Sequence, residues 1–121
     1  MSDTKLILHI GSTKTGTKSI QRALAVAPHS DLRDWAYPQA GRKTIAHHNL
    51  AYEMGAAFHA AQRWKPEQGG WDAALAEAGG AARMVISSEA FIYLTPPEIK
   101  ALARKIGHLT PCIHLYLRRL D

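Results

Sequence analysis

The sequence predicts an α/β protein with a three-layer parallel sheet, and three observations predict it. Short apolar runs at 5–10, 83–89 and 112–117 have the length and composition of buried strands. The segments between them carry apolar residues at helical spacing. Each run also ends on residues suited to ligands: a glycine loop after Ile10, the cluster Ser87-Ser88-Glu89, and Arg118-Arg119. Right-handed crossovers between parallel strands bring their C-terminal ends to one edge of the sheet, where ligands gather in this architecture.

The elements follow in order. Lys5-Leu-Ile-Leu-His-Ile10 is the first strand, closed by Gly11. Thr17 to Ala27 forms a helix, with Ile20, Leu24 and Ala27 in phase and Pro28 closing it. Residues 29–45, broken by Pro38 and Gly41, form a loop around Trp35 and Tyr37. A second helix starts after Thr44 as N-cap and runs to about Arg63, with Leu50, Met54, Phe58 and Ala61 on one face. Gly69-Gly70 and Gly79-Gly80 bracket a short helix from Trp71 to Ala78, and Arg83 begins the second strand. Pro96-Pro97 open a further helix, Ile99, Leu102, Ala103 and Ile106 form its stripe, and Gly107 ends it. Cys112 to Leu117 is the third strand, with Cys112 expected as a small buried hydrophobe.

A chain of 121 residues, 46% hydrophobic and 21% charged, suits one domain, 1–121, with one modest core. No apolar run approaches the roughly 20 residues that span a bilayer, and the first residues lack an apolar signal region, so a soluble cytoplasmic protein with no membrane partner is expected. The single cysteine excludes an internal disulfide. Fifteen Lys and Arg against ten Asp and Glu give a net charge of +5, which favours an anionic partner. The cations are dispersed and no aromatic ladder lies between them, which argues against nucleic acid. His29, His59, His108 and His114 share no ligand spacing, so no metal is expected.

The stretch His9-Ile-Gly-Ser-Thr-Lys-Thr-Gly-Thr-Lys-Ser19 carries most of the chemistry. Gly11 and Gly16 have the spacing of a nucleotide phosphate loop, but Thr17 stands where that loop needs lysine, and Lys18-Ser19 come one residue late. A glycine turn entering a helix still offers backbone N–H groups and the positive end of the helix dipole to a phosphate. Lys14 adds a full charge, and Ser12, Thr13, Thr15, Thr17 and Ser19 add hydroxyls.

Read from Lys14, the segment His9 to Leu24 resembles the 5′-phosphosulfate loop of sulfotransferases that use 3′-phosphoadenosine 5′-phosphosulfate (PAPS), especially bacterial and glycan-type members with a pattern like HIGxxKTGTTSLQ. Lys14-Thr15-Gly16-Thr17 matches the family's Lys-x-Gly-Thr, while Lys18 stands where Thr or Ser is usual. Leu115-Tyr-Leu-Arg-Arg119 resembles the start of the family's 3′-phosphate motif, with Arg118 at the matching position, and Val85 to Phe91 resembles its central strand. The resemblance covers the N-terminal half of the family's domain. It implies a P-loop NTPase-like (sulfotransferase) topology, incomplete at the C-terminus, that a second chain could complete.

What the resemblance implies chemically is in-line transfer of a sulfuryl group from PAPS to a hydroxyl or amine of a glycan or small molecule. Gly11 to Ser19 and Arg118 would hold the donor and its bisphosphate product. Lys14 would neutralise the leaving phosphate, helped by the N–H groups of 15–17. The acceptor must lose a proton, and His47, His48 or Glu89 could take it. His48 is the first choice because it points off the stripe that His47 shares with Leu50 and Met54. Two alternatives stand beside this one: a P-loop nucleotide kinase or NTPase, and a truncated remnant without catalysis.

Overall fold

The computed structural model of the chain describes residues 4–11, 17–26, 34–56 and 63–116. Its strands are β1 (Lys5–Gly11), β2 (Trp35–Ala36), β3 (Arg83–Ser87) and β4 (Cys112–Tyr116), and its α-helices are α1 (Thr17–Val26), α2 (His48–Glu53), α3 (Trp71–Glu77) and α4 (Pro96–Ile106). The strands form one all-parallel sheet in the order β2-β3-β1-β4. The chain leaves β1 toward β2 on one flank and later crosses β1 to reach β4 on the other. The carboxyl end of β1 therefore lies where connections diverge, the usual ligand crevice of such sheets.

Register and alternation assign the two faces. Leu6 pairs with Met84 and Leu8 with Ile86, all four at most 2% exposed. They share one core with Leu50 and Ala51 of α2, Trp71 and Ala74 of α3, and Leu102 and Ile106 of α4. Ile7, His9, Val85 and Ser87 point the other way. Gln21 of α1 reaches Ser87 there, so helices cover both faces of the sheet. Two side chains join the second layer into one body: buried Asn49 bonds the backbone of Lys65 and Gly69, and Glu53 accepts from the N–H of Trp71, capping α3 from a distance.

Several expectations need correction. The stretch 29–45 contains a strand, β2, whose two residues pair with Arg83 and Met84. Two residues are too few to show a period. The helix expected from Thr44 to Arg63 is α2, with His47 rather than Thr44 at its N-cap. Gly55, at φ +107, ends it, and Phe58 and Ala61 lie outside the described residues. In α4, Leu102 and Ile106 are buried, whereas Ile99 is 52% exposed and Ala103 is exposed. The true stripe runs on to Leu109 in the 3₁₀ turn that follows.

Cys112 is exposed, not buried. It lies on β4, the last strand of the sheet, where Ile113 and Leu115 are also 54% and 53% exposed, so neither face of β4 is covered as those of β1 and β3 are. Thiol reagents should therefore label Cys112 of the native chain at the rate of an exposed free thiol. Protection until denaturant is added would show that something covers β4.

Gly41 is a tight point of the backbone, set against the core. Its φ is +88, and a Cβ would stand 2.5 Å from Leu50 Cγ in the core. Its N–H donates to Gln68 O and its carbonyl accepts from Asn49 N, so the backbone has little room to move. Gly41→Ala is expected to cost about 1–3 kcal/mol in urea unfolding, from backbone strain and overpacking.

Candidate active site

Polar residues gather where β1 and β3 end. Alternation sends Ser87 to the α1 side of the sheet and Ser88, still extended, to the α2 side. Glu89 then opens a 3₁₀ turn, Glu89–Tyr93, with Ser88 Oγ capping it by accepting from Ala90 N–H at 3.0 Å. One polar cluster thus forms on each face, and Glu89 stands at the strand end between them.

On the α1 side, Ser87 Oγ lies 2.7 Å from His9 Nδ1 and accepts from Gln21 Nε2 at 3.0 Å. The same Gln21 nitrogen donates to Glu89 Oε2 at 3.2 Å. Gln21 is 1% exposed and His9 4%. Desolvation, helped by the charge of His114, lowers the His9 pKa, although Glu89 opposes this.

On the α2 side the two adjacent histidines have different surroundings. His47 is fully buried. Its Nδ1 accepts from Ser87 N–H at 3.1 Å and its Nε2 lies 2.7 Å from Pro38 O. A backbone N–H can only donate and a carbonyl can only accept, so the ring is the neutral Nε2–H tautomer. Burial pushes its pKa down to about 3. Its own N–H donates to Ser87 O, so His47 takes up both backbone groups of Ser87 and binds the 38–47 segment to the end of β3. Tyr37 stacks edge-on to this ring at 4.5 Å and donates to Ile45 O, and burial pushes its hydroxyl pKa up. With both ring nitrogens engaged and no exposure, His47 cannot serve as an acceptor's base.

His48 is only partly buried, and its Nδ1 lies 2.6 Å from Ser88 Oγ. The serine oxygen already accepts from Ala90 N–H and has one lone pair and one proton left. When it accepts from Nδ1–H, the lone pair of His48 Nε2 is free to take a proton. Desolvation lowers the His48 pKa; Glu89 raises it and Lys18 lowers it further. The ring is therefore neutral at pH 7. Ser88 is itself fully buried, which removes it as a nucleophile.

Of the residues expected at the donor site, Gly11 ends β1 and is buried, Thr17 begins α1, and Lys18 and Ser19 are exposed in the first turn of α1. Ser12, Thr13, Lys14, Thr15, Gly16 and Arg118 lie outside the described residues. Glu89, His47 and His48 are brought together. Among the described residues no group of three or more His, Cys, Asp or Glu could hold a metal ion, and no helix is long and apolar enough to cross a membrane.

Comparison of the chain with protein-family models, curated proteins and solved structures gives no match.

Gln21 was missed from sequence. A signal existed: it falls between Ile20 and Leu24 on the stripe of α1 that faces the sheet, and a polar residue there needs a buried partner. The segment 39–45 also lines an open cavity of about 790 Å³, with Arg42, Lys43, Glu67 and Glu77 among its walls. Arg42 is held there by Pro38 O, the carbonyl that also pairs with His47.

Proposed function

We propose that the chain has the fold and activity of a PAPS-dependent sulfotransferase, transferring a sulfuryl group to a hydroxyl or amine. The observation that carries the proposal is His48: a neutral imidazole, partly exposed and fixed by Ser88, beside Glu89 at the carboxyl end of a parallel sheet. The sequence of β1, glycine loop and α1 supports it, since the loop bearing Lys14 joins two elements that meet this same strand end.

The step balances without a metal. The acceptor oxygen attacks sulfur as His48 Nε2 takes its proton, and the bond from sulfur to the phosphate oxygen of the donor breaks. The leaving oxygen gains a charge that Lys14 and the loop N–H groups stabilise. Arg118 would hold the 3′-phosphate in a bidentate fork.

Incubation with PAPS radiolabelled in sulfur and a panel of sugar, phenol and amine acceptors tests this. Label is expected on an acceptor in the presence of EDTA. Magnesium-dependent transfer of phosphate from ATP instead would favour a nucleotide kinase, and no transfer from either donor would favour a remnant without catalysis.

A further inference from the structure

We propose that Gln21 is a positioning residue that clamps the Glu89 carboxylate at the end of β3, where it sets the charge facing His48. This deepens the proposed function and rests on His48 as its base. The geometry is specific. The two N–H groups of one buried amide reach Ser87 Oγ and Glu89 Oε2, at 3.0 and 3.2 Å. Ser87 is fully buried and anchored in turn by His47 on its backbone and by His9 beside its hydroxyl. Glu89 is partly exposed, and without this bond its carboxylate could turn to water.

Gln21 belongs to α1, one turn beyond the residue at which the glycine loop ends. The helix that follows the loop is thereby tied to the carboxylate that opposes the loss of charge on His48. Among the described residues, four groups bear on that imidazole: Glu89 from the 3₁₀ turn, Lys18 from α1, and His47 and Tyr52 from its own segment, the Tyr52 ring 6.2 Å away. A held Glu89 keeps the imidazole basic enough to take a proton despite burial and Lys18.

NMR titration of the native chain, with the His48 signals assigned by His48→Asn, separates this role from simple packing. Gln21→Met keeps the length and removes both donors. It is expected to lower the His48 midpoint by about half a pH unit or more. Glu89→Gln should lower it as well, and the double variant should fall no further than Glu89→Gln alone. Gln21→Asn keeps an amide but is too short to reach both partners, and supplies the same comparison should Gln21→Met not fold. An unchanged midpoint in the folded Gln21 variant, or in Glu89→Gln, overturns the proposal. Coupling among the variants without sulfuryl transfer in the parent chain upholds the clamp and overturns only the function proposed above.

Discussion

His48→Asn is expected to lower kcat for sulfuryl transfer by about 10²–10⁴-fold, the usual contribution of a positioned general base. Affinity for adenosine 3′,5′-bisphosphate should not change, because His48 lies on the α2 side of β3 and the loop proposed to hold the donor joins β1 to α1. Asparagine can keep a hydrogen bond to Ser88 but cannot accept the acceptor's proton. The pH profile carries the same information. Burial and Lys18 hold the His48 pKa below its ordinary 6.5, so kcat should be flat through neutral pH and fall only below that value. In the variant this acid limb should vanish. Initial rates at saturating donor, with circular dichroism to exclude unfolding, read both effects, and equal kcat for the two proteins would remove His48 from the reaction.

The second large effect concerns stability. His47→Ala is expected to cost about 3–5 kcal/mol in urea unfolding, because it leaves a cavity, strands the buried Ser87 N–H without its acceptor and leaves the Pro38 carbonyl with Arg42 as its remaining donor. Native domains of this kind are stable by only about 5–15 kcal/mol, so the variant would be marginal. The same residue gives the parent chain a pH dependence of known sign. Unfolded His47 binds a proton below its ordinary 6.5, whereas the folded ring, fully buried, stays neutral down to about 3. Stability is thus complete above 6.5 and falls as pH drops toward 3, by up to about 1.4 kcal/mol for each pH unit. Between pH 7 and pH 5 the loss from His47 alone should be about 2 kcal/mol. His9 and His48, whose pKa values are also lowered by burial, add to it with the same sign. A parent chain equally stable at both pH values would contradict the buried neutral ring.

Much of the sheet was legible because it is written in runs. Lys5 to Ile10 and Arg83 to Ser87 are apolar segments of strand length, and both pair as parallel strands in the sheet. Pro96-Pro97 and Gly107 marked the limits of α4 because each has a local conformational reason to stand there. What failed lacked a period or depended on distant partners. β2 has two residues, and its place is set by pairing with β3. The start of α2 is set not by Thr44 but by the bonds of His47 to Ser87 and Pro38, some 40 and nine residues away. Cys112 is exposed against expectation because apolar composition cannot say whether a strand lies inside the sheet or at its end.

The site was legible only in part for the same reason. Ser87-Ser88-Glu89 could be placed at a strand end from order alone. The division between a buried structural His47 and a partly exposed His48 required the fold, as did Gln21, whose partners are 66 and 68 residues away.

The central claim, that the glycine loop and the polar strand ends form a phosphosulfate site, is tested most directly by calorimetric titration with adenosine 3′,5′-bisphosphate in the presence of EDTA. Saturable binding to the parent chain and its loss in Lys14→Ala is the predicted result. No heat at high nucleotide concentration, or equal binding by both proteins, would contradict it.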